Sequence, residues 1–295
     1  MSHNQNYLYQ MFDLSNCKIC PHECGVNRNT GTGICNSDSN IKISSYGPHF
    51  GEEPELVGRH GSGTIFFSGC NLLCVFCQNY TISHLNEGFS VSCEELSEIM
   101  LNLQARGCHN INLVTPTHFT PHILKSIKLA KNSNLKIPVV WNSNCYEKYE
   151  IIRLLKGNVD IYMPDLKFVM PESGSRYTTA KNYFQIASEA IIEMHNQVGN
   201  LVHKNGIATR GLIVRHLVMP DNASNTYRVI DFIADNLGVK TYLNLMAQYH
   251  PSYKSYHYKE INRRITESEY MKYVRYAYSK GFRNPSYIYG QTETS

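Results

Sequence analysis

Between residues 63 and 250 the spacing of apolar positions alternates between two periods. Short runs crowded with β-branched, aromatic and other apolar residues, at 63–68, 110–115, 137–142, 159–164, 211–218 and 240–247, predict strands. Between them the apolar residues recur at helical spacing, which predicts helices near 92–106, 119–132, 146–156, 182–198 and 224–236. Ser92 followed by Glu94 and Glu95 marks the start of the first helix. A last helix is expected over roughly 266–280, where Thr266 and Glu269 have capping-box spacing. Six strands alternating with helices imply parallel pairing through crossover connections. About eight are needed to close a barrel. The pattern therefore predicts an α/β fold, a partial, open-sided (β/α)6 TIM-like barrel, with a doubly wound sheet as the alternative. In either architecture the ligand site lies at the C-terminal ends of the strands.

Outside this stretch the pattern weakens. Residues 1–16 read as a loosely docked lead-in. Residues 17–35 are rich in Gly, Pro and Asn and poor in core formers, a composition that depends on a metal or on a neighbouring surface to hold its shape. Ile41 to Tyr46 alternates as a short strand, and 47–62 reads as loop. The chain divides into a cysteine-rich N-terminal extension (1–62), the barrel (63–250) and a C-terminal helix and tail (251–295).

Composition narrows the class. Apolar residues make up 42% of the 295, enough for a substantial core, and no run approaches the ~20 consecutive apolar residues of a membrane helix. The polar start, Met1 to Tyr9, carries no signal-peptide core, so a cytoplasmic protein without membrane association is expected. A formal charge of +4 is too small to identify a nucleic-acid partner. Ten cysteines in such a chain read as metal ligands and free thiols rather than disulfides.

The cysteines then locate the chemistry. Cys70, Cys74 and Cys77 stand at C-x3-C-x2-C spacing directly after the first predicted barrel strand. Full thiolate ligation of a [4Fe–4S] cluster takes four cysteines. A loop offering three leaves one iron free for a ligand that is not protein. The other strand ends gather polar groups: Thr115-Pro116-Thr117-His118, Trp141-Asn142-Ser143-Asn144, Asp165-Leu166-Lys167, Arg215-His216 and Gln248-Tyr249-His250.

With these residues in view, the chain resembles the radical S-adenosylmethionine (SAM) superfamily, and more narrowly the pyruvate formate-lyase activating enzymes and their relatives with an N-terminal cysteine-rich motif. The resemblance rests on Cys70-x3-Cys74-x2-Cys77 with Phe76 before the last cysteine, on Asp165-Leu166-Lys167, on Val214 to Pro220 and on Tyr249-His250. It implies a [4Fe–4S] cluster on Cys70, Cys74 and Cys77, and SAM chelated to the open iron. It also implies reductive cleavage of SAM to a 5′-deoxyadenosyl radical that takes hydrogen from a substrate. Asp165 and Lys167 would contact the methionine or ribose part of SAM, Arg215 its carboxylate or the substrate, and His250 the ribose or adenine, with Asn142 and Asn144 placed to hydrogen-bond it. Relatives carry a Gly-Gly-Glu turn after the second strand for the SAM amino group. Here Thr115 and Thr117 stand in its place and would accept from the ammonium through hydroxyls and carbonyls. An electron donor such as flavodoxin or ferredoxin is implied. By the same resemblance the substrate is a protein glycine, with a small molecule or peptide as the alternative. A different class, a catalytically idle metal-binding module serving a partner protein, has no need of the full constellation.

Cys17, Cys20, Cys24 and Cys35 remain. Four thiols suit a second iron–sulfur cluster, a closed zinc site with His22 able to replace one thiolate, or a metal-free knuckle, and the spacing leaves all three open. Cys93 and Cys108 flank a predicted helix as packing residues. His118 and His122 read as loop and helix-start residues. The tyrosines from 249 to 258 face either a partner or the barrel wall.

Overall fold

The computed structural model describes residues 12–283; residues 1–11 of the expected lead-in and the tail from 284 lie outside the described residues. Among the described residues nine strands form one continuous sheet: β1 (Ile41–His49), β2 (Ser62–Phe67), β3 (Phe89–Val91), β4 (Ile111–Val114), β5 (Val139–Ser143), β6 (Ile161–Pro164), β7 (Val202–Lys204), β8 (Ile207–Leu217) and β9 (Tyr242–Met246). The spatial order is β3-β1-β2-β4-β5-β6-β8-β7, with β9 also on β8. The run β2-β4-β5-β6-β8-β9 is parallel throughout, and these are the six strands expected from the apolar runs. β2 and β9 do not pair, so the sheet curls without closing.

The helices are α1 (Pro54–Val57), α2 (Tyr80–Ser83), α3 (Cys93–Ala105), α4 (Thr120–Asn132), α5 (Tyr149–Leu155), α6 (Pro171–Tyr177), α7 (Tyr183–Val198), α8 (Thr226–Asn236) and α9 (Glu267–Ser279). Both capping boxes form: Ser92 accepts from the Glu95 N–H and Thr266 from the Glu269 N–H, while each glutamate returns a bond to the cap backbone. In α3 the buried Leu96, Ile99, Met100 and Leu103 fall on one face, at the spacing that directs a helix onto a sheet.

Strand alternation separates two cores. Val139, Trp141, Tyr162, Leu212 and Val214 pack outward with the helices. Their neighbours Val140, Ile161, Met163 and Ile213 point to the other face, where they meet Leu56 of α1. Period-two geometry sends successive side chains to opposite faces of a sheet. The inner face is thus the lumen of the partial barrel, and α1 plugs its floor.

The structure adds elements that the apolar pattern did not reveal. β1 continues through Gly47-Pro48 and pairs antiparallel with β2, Pro48 opposite Gly63. β3 reaches only residues 41–43 of β1, so Pro48 lies on a free edge, where its missing N–H breaks no ladder. β3 and β7 are three residues long, too short to show a period. α6 is polar and starts on Pro171 at its first position, a signal carried by capping rather than by periodicity.

Candidate functional site

Following the lumen face toward the C-terminal strand ends leads from apolar to polar residues. Val140 gives way to Asn142, Met163 to Asp165, and Ile213 to Arg215 and then Leu217. Together with Phe66, Val114 and Met246 these line a cavity of about 280 Å³, whose opposite wall is the loop carrying Cys70, Cys74 and Cys77.

Three features hold that loop. Leu73 takes a left-handed backbone (φ 47), which turns the chain between the first two cysteines. The Val75 N–H donates to the Tyr177 carbonyl (2.9 Å), and the Val75 carbonyl accepts from the Lys254 N–H (2.9 Å). Phe76 is buried edge-on against Phe168, Tyr177 and Tyr249, with ring centroids 6.0–6.5 Å away. The aromatic residue before the last cysteine therefore pins the loop to the barrel rim.

Donors are aimed at the sulfurs. Cys70 Sγ accepts from the Leu72 N–H and from Asn144 Nδ2, both at 3.4 Å, and Cys77 Sγ accepts from the Ser83 hydroxyl at 3.1 Å. Burial pushes the thiols of Cys70 and Cys74 up; the Leu72 and Leu73 backbone opposes this at Cys70 and Lys167 at Cys74. Metal ligation takes the thiolate and releases the proton. Three convergent thiols with donors on two of the sulfurs, open to a cavity on one side, fit a cubane cluster with one exposed iron.

Across the cavity lies a charged network. Asp165 accepts from Lys167 Nζ through Oδ2 and from Arg215 Nε through Oδ1, each at 2.8 Å. Arg215 also donates to Asn142 Oδ1 (2.8 Å) and lies 3.4 Å from Glu52. Side-chain exposure is only 14–17% for Asp165, Lys167 and Arg215. Burial alone would raise Asp165, but Arg215 and Lys167 outweigh it and hold the carboxyl below its usual range. Burial likewise opposes the charge on Lys167 and Arg215; Asp165, joined by Cys74 at Lys167 and by Glu52 and Glu53 at Arg215, more than restores it. The trio is kept ionised by mutual pairing.

The remaining expected site residues divide. Thr115 lines the cavity with φ 59, a left-handed conformation that glycine takes freely and a β-branched residue rarely does. The turn thus keeps a glycine-like backbone without the glycine. Thr117 does not line the cavity; its hydroxyl donates to Glu147 Oε1 (2.7 Å). Asn144 lines it and donates to Asn71 Oδ1 (2.8 Å) as well as to Cys70. His250 sits outside the cavity wall, its Nδ1 3.1 Å from the amide of Gln78, which does line it. His118 is buried, its Nε2 donating to the Ser68 carbonyl at 2.8 Å.

The sequence reading missed several supports. Buried Glu147 gathers Thr117, the Trp141 indole N–H (2.8 Å) and the Ser143 hydroxyl (2.9 Å), fixing two strand ends together. The Tyr183 hydroxyl accepts from the Lys167 N–H (2.9 Å) and lies 2.8–2.9 Å from the carbonyls of Asp165 and Asn144. Glu53, below the cavity, accepts from Asn244 Nδ2, and burial pushes its carboxyl up to about 7 against the pull of Arg215. None of these carries a local motif; only the curvature of the sheet brings them in.

Cys17, Cys20, Cys24 and Cys35 lie beside this site and are unoxidised. Burial pushes the Cys20 thiol up to about 12; a backbone hydrogen bond at His22 opposes this, and the charges of Cys35, Cys17 and Cys24 add to it, so the four sulfurs are within electrostatic reach of one another. His22 itself is engaged elsewhere, donating to the Asn71 carbonyl at 2.7 Å. Among the described residues no three His, Cys, Asp or Glu side chains form a cage for a single ion, the Cys70–Cys77 triad included.

Comparison with known proteins places this geometry. The model of the Radical SAM superfamily matches residues 64–233. An uncharacterized protein of Methanocaldococcus jannaschii, MJ0674, is 39% identical over 275 residues, covering 90% of this chain and 75% of that protein. Two crystal structures of HydG, a maturase of the [FeFe]-hydrogenase, share the fold. One gives a TM-score of 0.50 at 15% identity over 70% of this chain and 46% of its own. The other, from Carboxydothermus hydrogenoformans, gives 0.51 at 13% identity over 72% of this chain and 48% of its own. The matched region thus spans about half the length of the HydG chains.

Proposed function

The chain belongs to the radical SAM superfamily, and on that premise we propose that the cavity between the Cys70–Cys77 loop and Asp165, Lys167 and Arg215 is the catalytic centre of a cytoplasmic enzyme that abstracts hydrogen from a polypeptide glycine. When bound, a [4Fe–4S] cluster and SAM supply one-electron cleavage of the sulfonium and the 5′-deoxyadenosyl radical. The observation that carries the reading is that three thiols and an ionised carboxylate–lysine–arginine trio line the same small cavity.

The chain's own residues would bind and orient. Cys70, Cys74 and Cys77 would hold the cluster. Asn144 bridges Cys70 and Asn71, so it fixes the loop and presents an amide at the cavity wall. The Asp165 carboxylate, with Lys167 and Arg215 beside it, offers complementary charge to a zwitterionic amino acid and to ribose hydroxyls. Phe66, Phe67, Leu217 and Met246 exclude water from the wall.

A polypeptide substrate is supported by the rim next to Cys77. Tyr80 stacks on Tyr253 (centroids 5.2 Å, 18°), Tyr253 packs on His84, and Tyr256 is 63% exposed. Aromatic residues of this kind suit peptide contacts. A ferredoxin or flavodoxin would donate the electron.

The test is anaerobic reconstitution with iron and sulfide, then SAM and reductant, with 5′-deoxyadenosine as the readout. Product is expected from the native chain and none from Cys74→Ala. No product from a protein with an intact, reduced cluster would sink the enzyme reading. Peptides with deuterated glycine should pass deuterium into 5′-deoxyadenosine; label appearing only from small-molecule substrates would replace the polypeptide reading.

A further inference from the structure

We propose that Cys17, Cys20, Cys24 and Cys35 bind a second iron–sulfur cluster, seated on the first ligand of the SAM-binding loop, that passes electrons into it. The relay part rests on the radical SAM reading above; the metal site does not.

Spacing is the first ground. The tetrad is Cys17-x2-Cys20-x3-Cys24 followed by Cys35 after ten residues, three close ligands and one remote. This is a complete thiolate set for a cluster, three ligands close together and one distant, as in ferredoxin-type sites; the spacing permits the cluster, and the metal count below separates it from zinc.

Charge is the second, independent ground. Arg28 lies inside the tetrad's segment and is 1% exposed. Its donors go to the Asp38 carbonyl (Nε, 2.9 Å) and the His118 carbonyl (Nη1, 2.6 Å), and its guanidinium lies over the Phe119 ring (5.4 Å). Among the described residues no carboxylate pairs with it, and Cys17 Sγ is 4.0 Å from Nη1. A buried cation without an anion is costly. A cluster held by four thiolates carries net negative charge and would complete the pairing. Two of the four sulfurs flank Gly33, where an added Cβ would stand 3.2 Å from Cys24 Sγ and 3.7 Å from Cys35 Sγ.

Position is the third. The Cys70 N–H donates to the Cys35 carbonyl at 3.2 Å, so a ligand of one site is hydrogen-bonded to a ligand of the other. Gly69, φ +82, allows this approach: a Cβ there would come within 2.5 Å of the Cys35 carbonyl oxygen. His22 and Asn36 fasten the same segment to the Asn71 and His84 carbonyls at 2.7 and 3.0 Å. The tetrad is therefore built onto the back of the SAM-cluster loop. Each turnover would take one electron from a reduced ferredoxin or flavodoxin, which is oxidised. The tetrad cluster would be reduced and then reoxidised as that electron passes through the Cys35–Cys70 contact.

Two measurements test this on the full chain, reconstituted anaerobically. The Cys70→Ala/Cys74→Ala/Cys77→Ala variant should retain about four irons and four sulfides, against about eight of each in the native chain. Its reduced paramagnetic signal should not change on adding SAM. Zinc alone, or no metal, in the variant overturns the site. If that variant does not fold, Cys20→Ser/Cys24→Ser supplies the same count from the other side: about four irons lost supports the site, and an unchanged count overturns it. For the relay, the rate of 5′-deoxyadenosine formation driven by reduced flavodoxin is divided by that driven by dithionite. In Cys20→Ser/Cys24→Ser this ratio should fall by about tenfold; equal loss with both reductants, or no loss with flavodoxin, overturns the relay. A cluster retained in the triple variant beside a native protein that never cleaves SAM would sink the radical reading and leave the second site standing.

Discussion

Asp165 shows at the residue scale how a short motif becomes a site. Asp165-Leu166-Lys167 reads as a potential ion pair in the chain, but Arg215, fifty residues on, makes it a buried trio. Removing the shared anion leaves buried Lys167 without a carboxylate and Arg215 with only Glu52, at 3.4 Å. Asp165→Asn should cost about 3 kcal/mol in urea unfolding at pH 7. Because the folded-state pKa of Asp165 is lowered, its contribution is present above the ordinary carboxylate pKa and lost as pH falls through the lowered value, so the two proteins should converge in acid. A cost under about 1 kcal/mol at neutral pH would contradict the pairing. His216 behaves differently. It is fully buried, donating from Nδ1 to the Leu166 carbonyl (2.6 Å) and accepting at Nε2 from Thr226 (3.0 Å). Burial, helped by Lys167 and opposed by that carbonyl bond, lowers its pKa to about 4. The folded state resists protonation, so stability should be full above about pH 6.5 and fall toward pH 4, with a slope of up to about 1.4 kcal/mol per pH unit. His216→Gln should flatten that part of the curve, measured by urea midpoints across pH; an unchanged slope would show that His216 is not responsible.

At the scale of elements, the tight contacts lie where two backbones meet. Gly69 ends the first parallel strand's extension and faces Cys35 and Ser37 of the N-terminal segment. An alanine there meets a left-handed backbone, the Ser37 hydroxyl and the Cys35 carbonyl; the hydroxyl can rotate aside, but the carbonyl cannot move without breaking the Cys70–Cys35 hydrogen bond. Gly69→Ala should cost about 1–3 kcal/mol. Hydrogen exchange should show lost protection at the Cys70 amide, while α3, stabilised by its own capping box, stays protected. Uniform loss across the barrel would argue against a local joint. The helix start at Ser92 and the capping box at Thr266 were legible because they are local: four residues suffice to write each. The antiparallel β1–β2 pairing was less so, because it depends on which edge is left uncovered.

For the whole molecule, the open sheet poses a problem that a closed barrel does not have: its lumen must be sealed by something other than the sheet. α1 does this at the floor, where Leu56, fully buried, packs with Val140, Ile161, Met163, Ala208 and Ile213. Leu56→Ala should cost about 3 kcal/mol, read from denaturant unfolding, because the plug leaves a cavity lined by rigid strands. A loss under about 1 kcal/mol would mean the floor collapses to fill the gap. The opposite end stays open and polar, which is where the cysteine loop, the charged trio and the aromatic rim assemble. Among the described residues no helix is long and apolar enough to cross a membrane.

The sequence by itself determined the repeating strands and helices, the helix start at Ser92, the capping box at Thr266 and the three-cysteine loop, since each is written in residues near one another in the chain. It also placed Asn142, Asn144, Asp165, Lys167 and Arg215 at strand ends, which the parallel sheet then set around one cavity. Only the tertiary structure decided which way the side chains turn. Thr117 points to Glu147 rather than into the cavity, Thr115 adopts a glycine-like turn, and His250 stops at Gln78 on the rim. The docking of Cys35 on Cys70, and the buried Arg28 beside Cys17, likewise emerge only in three dimensions. The physical reason is range. Period and capping act over a few residues, whereas burial, ion pairing and backbone approach depend on partners tens of residues away that the curl of the sheet brings together.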